Sequence, residues 1–134
     1  MGERGSVSAF LACLAVGLFV LVGLVVDGGR VLAARRAAID VAEEAARTGA
    51  DQLSVDALRQ GVYVVDPASA TRAVGAGLRA ADMTGTASVS EDTVTVEVHT
   101  VVPMTILGII GLHDISVTGK ASATDLHGVA TADG

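Results

Sequence analysis

The sequence predicts an α+β protein: a long N-terminal transmembrane helix followed by a small head with an antiparallel sheet of about three strands and two short helices. Three observations predict it. Val7 to Val26 is a run of twenty residues without a charge, and about twenty helical residues cover the roughly 30 Å hydrocarbon core of a bilayer. From Arg30 to Ala50 the chain is rich in Ala, lacks Pro and reaches its first Gly only at Gly49, which favours helix. Further on, three stretches alternate polar and apolar residues, the period of a half-buried strand. The divisions that follow are 1–29 for the leader and transmembrane helix, 30–50 for a juxtamembrane helix, 51–124 for the head and 125–134 for a flexible tail.

Composition limits what the head can be. With 134 residues and a formal net charge of −6, the chain has room for one small domain beside the apolar run. Only Phe10, Phe19 and Tyr63 are aromatic and there is no Trp, so the core is built from small side chains. Residues 1–79 balance eight acids with eight Arg, whereas residues 80–134 set seven acids against Lys120 alone. Nucleic acid is excluded as a partner, because binding phosphates needs clustered Lys and Arg to displace counterions.

The apolar run favours insertion. Thirteen of its twenty residues are Leu, Val or Phe, and at about −0.3 to −0.6 kcal/mol each they contribute roughly −4 to −8 kcal/mol. The run is longer than the apolar region of a cleaved secretory signal, about 7–15 residues. The nearest small-residue site, Val31-Leu32-Ala33, lies beyond Asp27 and Arg30. A lipoprotein signal ending at Cys13 would be too short, and a single cysteine allows no intramolecular disulfide. Orientation is open on charge alone: Arg4 precedes the run, while Arg30, Arg35 and Arg36 follow it. Ala9, Cys13 and Gly17 repeat every four residues along one helix face, the spacing that lets membrane helices approach closely. They are the candidate helix-packing residues, against the alternative that small residues are merely common here.

Each later element has its own signal. Val31, Ala34, Ala38, Val41 and Ala45 form one stripe of the juxtamembrane helix, with Arg36/Asp40 and Glu43/Arg47 placed as exposed ion pairs four apart. Gly28-Gly29 offers a bend in an otherwise continuous rod. Residues 51–65 read as a connector with a helical turn and a short strand at Val62 to Val65, Tyr63 covering core. Asp66-Pro67 has the form of an N-cap followed by Pro at the first helical position, and Ala70, Val74, Leu78 and Ala81 follow at helical spacing up to Gly85 as the stop. Thr86 to Val89 and Thr93 to His99 alternate as two strands around a Ser90-Glu91-Asp92 loop. Pro103 ends the second strand and opens a short helix, 103–112, whose apolar Met104 to Leu112 is expected to cover the sheet, a docking patch being the minority alternative. Ile115 to Thr124 alternates as the third strand.

The residues that carry chemistry do not assemble into a site. His99, His113 and His127 are fourteen residues apart, a spacing that matches no zinc pattern. His113-Asp114 has no activated nucleophile motif beside it, and Gly75-Ala76-Gly77 lacks the lysine and strand-to-helix context of a phosphate loop. Glu43/Glu44 and Glu91/Asp92 are sequence neighbours that do not converge on a cleft. The sequence therefore predicts no catalytic residue, no metal, no cofactor and no small-molecule substrate.

The first fifty residues do carry a recognisable combination. Glu3-Arg4-Gly5-Ser6-Val7-Ser8, one apolar span, Val26-Asp27-Gly28-Gly29-Arg30-Val31-Leu32-Ala33-Ala34-Arg35-Arg36 and an Ala-rich Val41 to Ala50 follow one another. In this the chain resembles the TadE/TadG family, pilin-like proteins of tight-adherence (Tad, Flp) pilus assembly systems. The resemblance implies a pilin-like fold and a single-pass protein of the cytoplasmic membrane, with its N-terminus inside and its head outside. It also implies cleavage by a prepilin peptidase between Gly5 and Ser6. Counted from Ser6, the fifth position is Phe10, where pilins often carry a Glu that pairs with a neighbour's new amino terminus. An acid within lipid costs about 2.5–3.5 kcal/mol and seeks a partner, which helps draw subunits into a fibre. Phe10 removes that drive. The function expected is a membrane-anchored accessory or minor-pilin-like component of a Tad/Flp-type pilus assembly or related secretion system. It would be non-catalytic and partnered by other pilin-like proteins. The alternative is a stand-alone membrane-tethered extracytoplasmic binding domain.

Overall fold

The computed structural model of the chain describes residues 3–124; the tail expected at 125–134 lies outside them. Helix α1 runs from Glu3 to Ala50 as 48 continuous residues. Gly28 and Gly29 lie within it, so the helix continues where the sequence allowed a bend. Ala, the commonest residue of this stretch, loses no rotamer freedom in a helix.

The chain divides into two compact units. One consists of the described residues up to Ala34 together with Val101–Ser116, and the other of Arg35–Thr100 together with the described residues from Val117 onward.

The second unit holds the main core. After α1 come α2, Val55–Arg59, and α3, Pro67–Ala80. The strands are β1, Thr84–Ser90; β2, Thr93–Pro103; and β3, Asp114–Thr124, in sheet order β1-β2-β3. β1 and β2 are antiparallel, with Gly85 opposite Val98 and Val89 opposite Val94. Side-chain hydrogen bonds from Thr93 to Thr124, Thr95 to Ser122 and His99 to Thr118 carry the opposite run of β2 and β3. Strict alternation puts Val94, Val96 and Val98 on one face, all fully buried, and Thr95, Glu97 and His99 on the other.

That buried face meets the Ala-rich part of α1. Ala38, Ala42, Ala45, Ala46 and Ala50 are buried, with Val74 and Leu78 of α3 completing the layer. Small side chains allow a close approach. At Gly119 of β3 an added Cβ would lie 2.4 Å from the Ala38 carbonyl carbon, so the position admits no side chain. The seam is shifted from the expected stripe: Ala42 and Ala46 are central to it, while Val31, Ala34 and Val41 are only partly buried. Glu43 and Arg47 form an exposed ion pair at 3.5 Å. Arg36 and Asp40 do not come within ion-pair distance.

Asp66 caps α3 as the sequence predicts, its carboxylate accepting the Ser69 N–H at 3.1 Å, with Pro67 opening the helix. Hydrogen bonding by the Ser69 hydroxyl holds the Asp66 carboxyl below its usual range against the opposing effect of burial; the Ser69 and Ala68 amides and Arg72 add to it.

Four local expectations change. The helix stops at Ala80 rather than at Gly85, because Asp82 turns the chain at φ 54° and the Met83 N–H closes back on the Leu78 carbonyl. Gly85 belongs to β1. Tyr63 is 54% exposed, and Val65, 1% exposed, fills the core instead. The expected strand at Val62 to Val65 reduces to one bridge between Leu53 and Val65. Finally, the run after Pro103 forms a single 3-10 turn, Leu107–Ile110, which packs on α1 at Gly23 instead of covering the sheet.

Candidate functional site

The unit made by the N-terminal part of α1 and Val101–Ser116 inverts the usual pattern of burial. From Gly5 to Arg30 every residue of α1 is exposed except Gly23 and Asp27. These two are four residues apart and so share a face. Against that face lies the hairpin tip that connects β2 to β3.

Asp27 holds the tip by three hydrogen bonds. Its Oδ1 accepts the Thr105 N–H at 3.1 Å, and its Oδ2 accepts the N–H groups of Ile106 at 2.9 Å and Leu107 at 2.8 Å. Amides at the start of a helical turn have no partner within the turn, and here a carboxylate nearly eighty residues away in sequence supplies one. One turn further along α1, the Arg30 guanidinium donates to the Thr105 hydroxyl. One turn before Asp27, the missing side chain of Gly23 makes room: a Cβ there would stand 2.8 Å from Ile106 Cγ2 and 3.3 Å from Leu107 Cδ2. Asp27 is fully buried, so its ionised form depends on these donors.

The rest of the contact is apolar. An open groove of about 230 Å³ runs between Val16, Phe19 and Val20 of α1 and Leu107, Ile109 and Ile110 of the tip. Ile109 is 85% exposed and Ile110 62%. Sequence reasoning did not single out Asp27 or Gly23. Two signals were present: an acid placed directly after a long uncharged run, and a Gly four residues before it on the same face.

The residues predicted for processing and packing lie along the same helix. Gly5 and Ser6 are in its first turns and exposed. Ala9, Cys13 and Gly17 are exposed as well, Cys13 is a free thiol, and a Cβ at Gly17 would meet nothing within 4 Å. Phe10 is exposed as well. Elsewhere, His99 contacts the Thr118 hydroxyl at 3.2 Å and Glu97 at 3.6 Å, and the His113 carbonyl accepts the Met104 N–H. His127 lies outside the described residues. Among the described residues no three His, Cys, Asp or Glu side chains are grouped to hold a metal ion.

Residues 5–52 match the family model for Flp pilus-assembly TadE/G-like proteins. The chain carries a TadE/G-like segment. Its bounds nearly coincide with those of α1, Glu3–Ala50, so the likeness is carried by the long helix. No curated protein and no solved structure is similar enough to the chain to count as a match. The TadE/G-like segment is also the one described helix long and apolar enough to cross a membrane. Together these features fit a membrane-anchored protein associated with pilus assembly.

Proposed function

We propose that the protein is an accessory, minor-pilin-like component of a Tad/Flp-type pilus assembly or related secretion system, acting by contact rather than by catalysis. The observation that carries this reading is the coincidence of the TadE/G-like match with one apolar helix whose large side chains are almost all exposed. Such a helix has lipid, and other helices, as its natural surroundings. In this reading α1 spans the cytoplasmic membrane with its N-terminus inside and the strands outside. Cleavage falls between Gly5 and Ser6. Ala9, Cys13 and Gly17 form the face on which a pilin-like neighbour packs, since small residues let backbones approach. With Phe10 in place of an acid, the chain stays in the membrane as an accessory rather than a regular fibre subunit.

Intact mass and N-terminal sequencing of membrane-extracted protein test the processing step: a chain beginning at Ser6 is expected, and an untouched Met1 overturns it. Crosslinking in membranes tests the packing face. Replacing both Cys13 and Gly17 with Leu is expected to cut crosslinks to pilin-like partners by roughly tenfold, the loss of about 1.4 kcal/mol of association. Unchanged yields would assign the face no role. If deleting neighbouring pilus components leaves the protein's amount and location unaltered, the assembly role itself fails.

A further inference from the structure

We propose that the β2–β3 hairpin tip, Met104 to Leu112, is a second membrane contact: a re-entrant wedge seated in the acyl layer beside α1 and fastened there by Asp27. This rests on the reading of α1 as a membrane anchor.

Depth is the first argument. The tip lies alongside α1 from Val16, with which it lines the groove, to Asp27, which it binds, eleven residues or about 16 Å along the helix axis. That is half of a hydrocarbon core about 30 Å thick. If Val7 to Val26 crosses the bilayer, a structure packed alongside Val16, Phe19 and Val20 lies within one leaflet. The side chains it turns outward suit that place: Ile109, Ile110 and Leu112 are all more than half exposed. In water they would form a costly apolar patch, whereas in lipid they continue the surface of α1.

Backbone satisfaction is the second and independent argument. Non-helical chain survives at membrane depth only where its polar groups are paired within the protein. Seven of the nine backbone N–H groups from Met104 to Leu112 meet it. The N–H groups of Thr105, Ile106 and Leu107 go to Asp27, and that of Met104 goes to the His113 carbonyl. Ile109, Gly111 and Leu112 donate to the carbonyls of Ile106, Gly108 and Leu107. Thr105 is the one residue from Met104 to Leu112 with a polar side chain, and its hydroxyl is held by Arg30. Charge returns at Asp114, after His113. Asp27 thus pairs three amides that would otherwise enter lipid bare, and they in turn pair a carboxylate at the membrane edge.

The test uses the full chain in phosphatidylcholine vesicles, with Cys13→Ser removing the native thiol. A polarity-sensitive fluorophore is placed at Ile110→Cys, at Ile109→Cys, or at Phe19→Cys as the reference for α1 itself. All three positions are exposed, and a label is attached at one of them at a time. Nitroxides on the lipid acyl chains are expected to quench the labels at Ile109 and Ile110 to about the extent seen at Phe19, with aqueous iodide quenching none of them. Asp27→Ala is then expected to release the tip, so that the Ile110 label loses most of its nitroxide quenching while the Phe19 label keeps it. Quenching of Ile110 by iodide with Phe19 still in lipid overturns the wedge and leaves the anchor standing. Protection of Ile110 from both quenchers places a protein surface there and overturns the wedge equally. If Phe19 is also reached by iodide, the membrane anchor has failed first.

Discussion

The two stretches of α1 are one continuous helix made of opposite surfaces. Up to Ala34 it carries Leu, Val and Phe side chains that point outward, and the residues it buries are Gly23 and Asp27. From Arg35 it buries a seam of Ala38, Ala42, Ala45, Ala46 and Ala50 and exposes Arg35, Arg36, Asp40 and Glu44. Large apolar groups outside with a carboxylate inside is the arrangement of a helix in lipid. Small apolar groups inside with charges outside is that of a helix in water. Both stretches are helical, so what distinguishes them is the medium each is built for.

Substitutions can break or sharpen this contrast. The largest effect is expected from Gly119→Val, since even a Cβ meets the Ala38 backbone at 2.4 Å and the sheet would have to leave the helix. The loss of stability should exceed the roughly 1–3 kcal/mol of ordinary overpacking. Denaturant-dependent hydrogen exchange of the Val94 to Val98 amides, in the detergent-solubilised chain, would read it. A stable sheet in this variant would mean that α1 and β3 are not in contact.

A matched pair comes next. Val96→Ala removes two methyl groups from a fully buried site and should cost about 2 kcal/mol by the same exchange measurement. Val25→Ala makes the same chemical change at a residue 74% exposed and should leave those amides unaltered. Equal effects would erase the contrast between the two stretches.

The smallest effect concerns the acid limb of stability. Because the Asp66 carboxyl titrates below its usual range in the folded chain, its ionised form favours folding. That contribution is complete above the unfolded carboxylate value of about 3.9 and is lost as pH falls through the lowered native value. Asp66→Asn should flatten this part of the decline in melting temperature between neutral and strongly acid pH. An unchanged slope would show that the cap's charge is immaterial.

Much of this molecule is legible along the chain because its signals are local. The helix of α1, the Asp66-Pro67 start of α3, the Glu91-Asp92 turn and the alternation of β2 all follow from neighbours a few residues apart. The resemblance to TadE/TadG proteins is equally local, confined to the helix that the family match covers. Tyr63 and Gly85 depart from expectation for a complementary reason. Whether a residue covers core or stops a helix depends on what another part of the chain offers it, and Val65 and the Asp82 turn take those roles.

By itself the sequence determined the long helices and the three strands, though not the fate of 62–65 or 103–112, and that one helix suits lipid, because propensity, periodicity and hydropathy are sums over adjacent residues. Only the tertiary structure decided that Gly119 meets Ala38, that the seam runs through Ala42 and Ala46, and that Asp27 binds the amides of Thr105, Ile106 and Leu107. Those contacts join residues tens of positions apart, and a carboxylate's three donors are backbone groups that every residue but proline has. Nothing in their side chains could announce them.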